Sequence, residues 1–198
     1  MFKPFALSAT VLALSAVALA QQGPQAPPAG FSGALVEYSD SSVTLKDKDD
    51  KVITIEMKPG WFVSSARQVT SDAIKPGSFI ATANINVDAN TGKSTELRIM
   101  EPNYRPEEGT HLMQGQTNTS MTHGTVSTTT KSAAGVELEV VYPGGSRHLI
   151  IAPEVKVTGY DVHPRSVLKP GIKVGAVARK DADGVLRAGR LNIDPTTP

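Results

Sequence analysis

The sequence predicts an all-β chain folded as two tandem, closely related units, and three observations carry the prediction. The chain repeats itself: Gly33 to Pro102 and Gly124 to Pro195 follow one plan. Each stretch opens on a Gly and a short apolar run, passes an aliphatic-Lys-Pro-Gly step (Ile74 to Gly77; Leu168 to Gly171) and closes on an alternating segment before an acid-Pro pair (Glu101-Pro102; Asp194-Pro195). The offset is 91 residues at the opening Gly (124 − 33) and 94 at the Lys-Pro-Gly glycine (171 − 77). A repeat of this period is one structural unit used twice. The second observation is the alternation of apolar and polar residues with many Val, Ile and Thr, the pattern of half-buried strands. The third is the near absence of helical periodicity.

The elements follow in order. Val43 to Leu45 and Val52 to Ile55 read as strands around the charged run Lys46 to Lys51, a solvated hairpin turn. Ser64 to Ala73 is the one helical candidate of the first repeat, before Lys75-Pro76-Gly77. Phe79 to Val87 and Thr95 to Met100 are the last two strands, joined through Asp88 to Gly92. The second repeat places strands at Thr125 to Thr129, Val136 to Tyr142, Arg147 to Ile151, Ile172 to Arg179 and Leu186 to Ile193. Pro143-Gly144-Gly145 and Asp181 to Gly184 are its tight turns, and Pro164 to Leu168 can form one helical turn.

Five short strands with a helical turn between the third and the fourth match an OB-like small barrel, so the expected fold is two tandem OB-like five-stranded barrels, each with a short helical turn. Closing each sheet removes exposed edges. One continuous sandwich built from both repeats is the second architecture the pattern admits. The inward-facing set expected in the first barrel is Val36, Leu45, Ile53, Ile55, Ile80, Leu97 and Ile99. In the second it is Val126, Leu138, Val140, Leu149, Ile151, Val174, Val177, Leu191 and Ile193.

The domain plan is then residues 1–20 as an export leader, 21–30 as a disordered tether, 31–102 as the first barrel, 103–122 as a linker and 123–198 as the second barrel. Lys3 supplies the charge of the leader, Phe5 to Ala20 its uncharged apolar run, and Ala18-Leu19-Ala20 a small-x-small cleavage site before Gln21. The apolar run is short for a membrane span. The reading is a periplasmic or secreted bacterial protein, with no membrane span in the mature form. The tether, rich in Pro, Gln and Ala, has nothing to bury.

Without Lys3 the chain carries 19 basic and 19 acidic residues, about neutral overall. Nucleic-acid binders normally show a basic bias, so no nucleic-acid partner is expected, and an envelope protein or a cell-wall glycan is the partner class that remains. The chain has no Cys, which excludes disulfides, thiolate nucleophiles and zinc-thiolate sites.

The repeats resemble a family of small β-barrel domains of unknown function found in tandem in exported bacterial proteins. The resemblance rests on Gly124-Thr125-Val126, on Leu168 to Val174 (LKPGIKV) and on Asp183 to Ile193 (DGVLRAGRLNI). It covers most of the second repeat and the first more loosely. It implies an exported OB-like module and carries over no catalytic residue.

For chemistry, the segment from Asn103 to His123 stands out as a long stretch without period, and such loops are commonly functional. It holds His111, Met113, Met121 and His123, and imidazole and thioether donors suit copper(I). The alternative is that Leu112 and Met113 fill a gap between the barrels while His123 caps the incoming strand. Trp61 and Phe62, after Pro59-Gly60, can either stack on a sugar or peptide or cover one end of a barrel, and covering is the more usual role. His148 reads as solvent-facing and His163 as a turn residue. Asp88/Asn90 and Asp181/Asp183 resemble fragments of a calcium loop without its downstream Glu. Arg179, Lys180, Arg187 and Arg190 concentrate basic charge on the last hairpin, where the aromatic platforms of a base-stacking surface are missing. No nucleophile elbow, zincin motif or phosphate loop is present. The sequence therefore predicts a non-enzymatic envelope binding or structural module without a cofactor, with a periplasmic copper-binding protein as the alternative. A hydrolase would instead require a deep polar cleft with converging titratable groups.

Overall fold

A computed structural model describes residues 27–102, 104–133 and 135–194. The leader and most of the tether expected at residues 1–26 lie outside them. The first half supplies β1 (Ala29–Tyr38), β2 (Ser42–Lys46), β3 (Val52–Val69), β4 (Phe79–Asn86) and β5 (Thr91–Ile99). A short strand β6 (Gly109–Leu112) follows, then β7 (Thr119–Ser132), β8 (Gly135–Tyr142), β9 (Gly145–Ile151), β10 (Lys156–His163), β11 (Lys173–Lys180) and β12 (Leu186–Ile193). Among the described residues there is no α-helix; single 3-10 turns at Ser71–Ala73 and Arg165–Val167 precede the two Lys-Pro-Gly steps.

The period-two pattern behaves as expected in β8: Val136, Leu138 and Val140 are buried, and Glu137 and Glu139 between them face outward. The charged run between β2 and β3 is a turn held by Asp47, whose Oδ1 accepts the backbone N–H of Asp49 and Lys51 at 2.8 and 3.0 Å. The Lys-Pro-Gly steps end on glycines with φ of 88° (Gly77) and 90° (Gly171), the left-handed region that a Cβ disfavours.

A closed five-stranded barrel forms from β1, β2, β3, β12 and β11. β1 pairs antiparallel with β2 and β11, β11 with β12, and the ring closes where β12 runs parallel to β3. Its core includes Leu35, Val43, Leu45, Ile55, Met57, Trp61 and Val63 from the first half, with Leu168, Val174, Ala176 and Leu191 from the second. Five of the remaining seven strands make a second circuit in the same order: β7–β8–β9, then β5 parallel to β9 over Thr91 to Lys93, then β4 back to β7. Ile74, Ile80 and Leu97 of the first half meet Val126, Leu138, Val140, Leu149 and Ile151 of the second inside it.

This corrects the tandem arrangement. Each ring takes three strands from one half of the chain and two from the other, so the expected first core splits: Leu45 and Ile55 lie in one cluster, Ile80 and Leu97 in the other. The physical cause is the length of β3. The expected helix at Ser64 to Ala73 is mostly strand, because Ser64 and Ser65 pair with Asn192 and Ile193 of β12, and Val63–Val69 pairs with β10. The strand carries the chain past the end of its own ring and delivers β4 to the other. Two expected core residues face out. Val36 is 42% exposed because a bulge between Leu35 and Glu37 shifts the alternation, burying Leu35 instead. Val177 is 52% exposed because Val174, Ala176 and Ala178 take the inner face of β11.

The two halves are related by a pseudo-two-fold relation centred on the β3–β10 ladder. Ala66 pairs with Tyr160, 94 positions further on, the same offset as the Lys-Pro-Gly steps. Leu191 opposite Val63 is answered by Leu97 opposite Val157, and Gly33 opposite Val174 by Gly124 opposite Ile80. The Lys-Pro-Gly glycines dock the same way: Gly171 N–H donates to the Leu35 carbonyl at 2.7 Å and Gly77 N–H to that of Val126 at 2.8 Å.

Candidate functional site

One element stands outside the two rings. β6 pairs antiparallel with the start of β7, off the path of the ring strands, and both fall inside the stretch that the sequence sets apart as a linker. The register is Gly109 opposite His123, Thr110 opposite Thr122, His111 opposite Met121 and Leu112 opposite Ser120. The Met113 N–H extends the ladder, donating to the Thr119 carbonyl at 2.9 Å. Directly opposed residues share a face, and so do residues two apart along a strand. His111, Met113, Met121 and His123 therefore all lie on one face of the hairpin. Thr122 and Ser120 turn the other way and are buried, Thr122 in a hydrogen bond to Thr110 at 3.0 Å.

The four side chains face outward over β4. Ala81 is opposite His123, Ala83 opposite Met121 and Ile85 opposite Thr119. Ala81 and Ala83 are buried although Ile80, Thr82 and Asn84 take the inner face, so the larger neighbours in register cover them. His111 is exposed; Met113, Met121 and His123 are half-buried. The His111 Nε2 lies 3.0 Å from the place a Cβ on Gly109 would occupy, which puts its ring over the residue opposite His123. His123 Nδ1 is 2.9 Å from the Glu107 carbonyl oxygen. A carbonyl only accepts, so Nδ1 carries the proton and Nε2 keeps its lone pair. Burial, with the nearby His111, holds the His123 imidazole below its ordinary pKa despite that hydrogen bond, favouring the neutral ring. Among the described residues no three His, Asp or Glu side chains gather as a metal site; the distinctive set on this face is two imidazoles and two thioethers.

Trp61 covers a barrel end. It is 2% exposed, its indole N–H donates to the Asp40 carbonyl at 2.8 Å, and the Arg165 guanidinium stacks 4.1 Å from the ring centre. Phe62 is half-buried and meets Tyr104 edge-on at 6.2 Å. Both aromatics line a cavity of about 330 Å³ with Lys58, Pro59, Glu101 and Tyr104. Both Glu101 oxygens accept from Arg190, at 3.1 and 3.0 Å, and the Arg190 guanidinium lies over the rings of Tyr104 (4.6 Å) and Tyr160 (4.8 Å). Glu101 is 1% exposed, so this is a buried, mutually satisfied joint between the end of β5 and β12.

The other candidates find structural partners. His163 Nε2 hydrogen-bonds Ser65 Oγ at 2.8 Å across the β3–β10 ladder, and His148 lies on the outer face 3.4 Å from Glu137. Asp88 Oδ1 accepts the N–H groups of Asn90 and Thr91, and Asp183 Oδ1 that of Val185, so these carboxylates fold their own turns. The charge of the last hairpin is largely paired: Arg187 meets Asp181, Asp183 and Glu56 within 3.0 Å, and Arg190 is in the joint. Sequence reasoning missed the joint and the buried Arg147. The signal for Arg147 was parity, since it shares a face with Leu149 and Ile151.

Comparison with protein-family models, with curated proteins and with solved structures gives no match for this chain. Among the described residues no helix is long and apolar enough to cross a membrane.

Proposed function

We propose that this chain is an exported, non-enzymatic binding module of the bacterial envelope, built as two OB-like barrels that exchange their last two strands, with the β6–β7 hairpin as its binding element. Support for the OB-like assignment is the ring order: first, second and third strands, then fifth parallel to third, then fourth back to first, with a 3-10 turn before the fourth. Export follows from the leader read in residues 1–20 and fits the resemblance to exported small-barrel domains.

The observation that carries the reading is the β6–β7 hairpin itself: β6 pairs with β7 off the path of the ring strands, and both rings close without it. Added loops and hairpins on a rigid scaffold are where binding residues concentrate. The hairpin also presents its side chains on ladder-held backbone, which limits the ordering cost of binding.

The test is amide chemical-shift mapping of the mature chain against defined envelope ligands: muropeptides, an anionic oligosaccharide and monovalent and divalent metal ions. The expected result is a perturbation confined to residues 107–123 and the adjacent β4. Perturbation by these ligands that maps instead to the Phe62–Tyr104 cavity or to the outer face of the first barrel overturns the choice of element. Turnover of any of them overturns the non-enzymatic reading.

A further inference from the structure

We propose that the outer face of the β6–β7 hairpin binds one copper(I) ion through the imidazoles of His111 and His123 and the thioether sulfur of Met121. This deepens the reading of the hairpin as the binding element and rests on it. Residues ten or twelve apart in sequence become neighbours through the ladder: His111 is directly opposite Met121, and His123 is two residues along from Met121. Directly opposed Cβ atoms stand about 4.5–5.5 Å apart and diagonal ones about 7–8 Å. Met and His side chains span such gaps and can converge on an ion from three sides. Met113, beside Thr119 at the far end of the ladder, stands about 13 Å from His123 and lies beyond reach of the same ion.

The donor chemistry selects the ion. Two imidazoles and one thioether bring no negative charge, so a divalent ion would keep its full charge at a half-buried site. Calcium and magnesium need oxygen donors, and zinc favours sites with thiolate or carboxylate among its ligands. A soft monovalent ion matches thioether sulfur and loses least by the exchange. The surroundings are those of a ligand set held in place. His123 has its tautomer fixed by the Glu107 carbonyl, the arrangement in which a metal-binding imidazole has its other nitrogen held by an outer acceptor. Ala81 and Ala83 give Met121 and His123 a buried apolar floor that keeps water from one side of the site. No electron transfer is involved: the ion binds and leaves as copper(I).

The experiment is an anaerobic titration of the mature chain with copper(I) against the chromogenic chelator bicinchoninate, with silver(I) as a redox-silent probe of the Met121 methyl signal. Wild type is expected to withdraw one equivalent of copper(I), and silver(I) to shift that methyl signal. The pair of changes His111→Ala and Met121→Leu should weaken binding at least tenfold, while His148→Ala, on a distant outer face, leaves it unchanged. Circular dichroism checks that each variant is folded. His111→Ala alone, on an exposed side chain, serves if the double variant fails to fold. Failure of wild type to compete for copper(I), or wild-type affinity in the folded double variant, overturns the copper site. If a muropeptide or oligosaccharide still shifts hairpin amides in that case, the ion assignment alone falls and the hairpin stands as the binding element. If none of the defined ligands shifts them, both readings fall.

Discussion

The two rings share a strand order and differ in what fills them. The first is packed with Leu35, Val43, Leu45, Ile55, Met57, Trp61 and Val63. The second holds its apolar cluster alongside a polar one. Arg147, 4% exposed, donates from Nε to Asn84 Oδ1 at 3.1 Å, from Nη1 to the Ala89 carbonyl at 3.1 Å, and from Nη2 to Asn86 Oδ1 and the Thr91 carbonyl. Asn84 in turn donates to Thr122 Oγ1 at 3.0 Å, and Thr82 and Ser94 pair at 2.9 Å. Register puts Ile53 of the first ring where Arg147 stands in the second, opposite Leu45 and Val140 respectively. Symmetry of the backbone therefore does not require symmetry of the interior. A guanidinium can occupy a barrel when its N–H groups meet acceptors, and here those acceptors include the turn between β4 and β5, which it fastens to β9. The polar interior and the β6–β7 hairpin belong to the same ring, since Thr122 touches both.

The comparison breaks first at the exchange itself. A Cβ on Gly175 would lie 4.0 Å from that of Ser32, inside the span of a disulfide, and the chain has no Cys to compete. The variant Ser32→Cys/Gly175→Cys should form an intramolecular disulfide nearly to completion and gain up to about 4–5 kcal/mol, because it closes a loop of more than ~100 residues. Non-reducing gel mobility and a reduced-against-oxidised denaturation pair read both effects. Halves that each closed on themselves would give no such bridge.

The interiors are compared by truncating the two equivalent positions. Arg147→Ala should cost about 3–5 kcal/mol, since it leaves the Asn84 oxygen buried without its donor and Asn86 with Ser120 alone. Ile53→Ala, at a half-buried apolar position, should cost about 1–2 kcal/mol. Urea unfolding followed by Trp61 fluorescence and by far-UV circular dichroism should give coincident transitions in both variants, although Trp61 sits in the other ring from Arg147. Separate transitions would mean that the rings are energetically independent despite shared strands.

The smallest effect concerns acid. The hydrogen bond from Arg187 holds the Asp183 carboxyl below its ordinary pKa, with the Val185 N–H adding to it. A lowered carboxyl pKa adds stability above the unfolded value of 3.8, and the contribution is lost as pH falls through the folded value. Asp183→Asn should flatten this acid limb of the stability curve and leave neutral pH little changed, because the pair is exposed. An unchanged acid limb would show that solvent screens the pair completely.

Much of the fold was legible. Alternation located most strands but neither β6 nor β10, whose last residue His163 read as a turn; the Lys-Pro-Gly steps located turns, and the offset of 94 reappears between Ala66 and its ladder partner Tyr160. The exchange was not legible, because period two says which face of a strand is buried and nothing about whose core it enters. The Ser64 to Ala73 segment looked helical only by lacking a strand pattern, and its pairing with β12 and β10 overrode local preference. Of the proposed site, His111, Met113, Met121 and His123 were legible by type; their common face was not, since Gly109–Leu112 is too short to announce a strand.

The exchanged strands also set an order of events for a chain that emerges N-terminus first. The second ring has all its strands once β9 is complete at Ile151, but the first waits for β11 and β12. The contact between Glu56 and Arg187 at its seam spans 131 positions. Closing so large a loop is slow, and until then β1, β2 and β3 have no partners to seal their apolar face. The first barrel is therefore a late product of synthesis, and the seam between β3 and β12 is the place where a truncated or stalled chain would leave the molecule open.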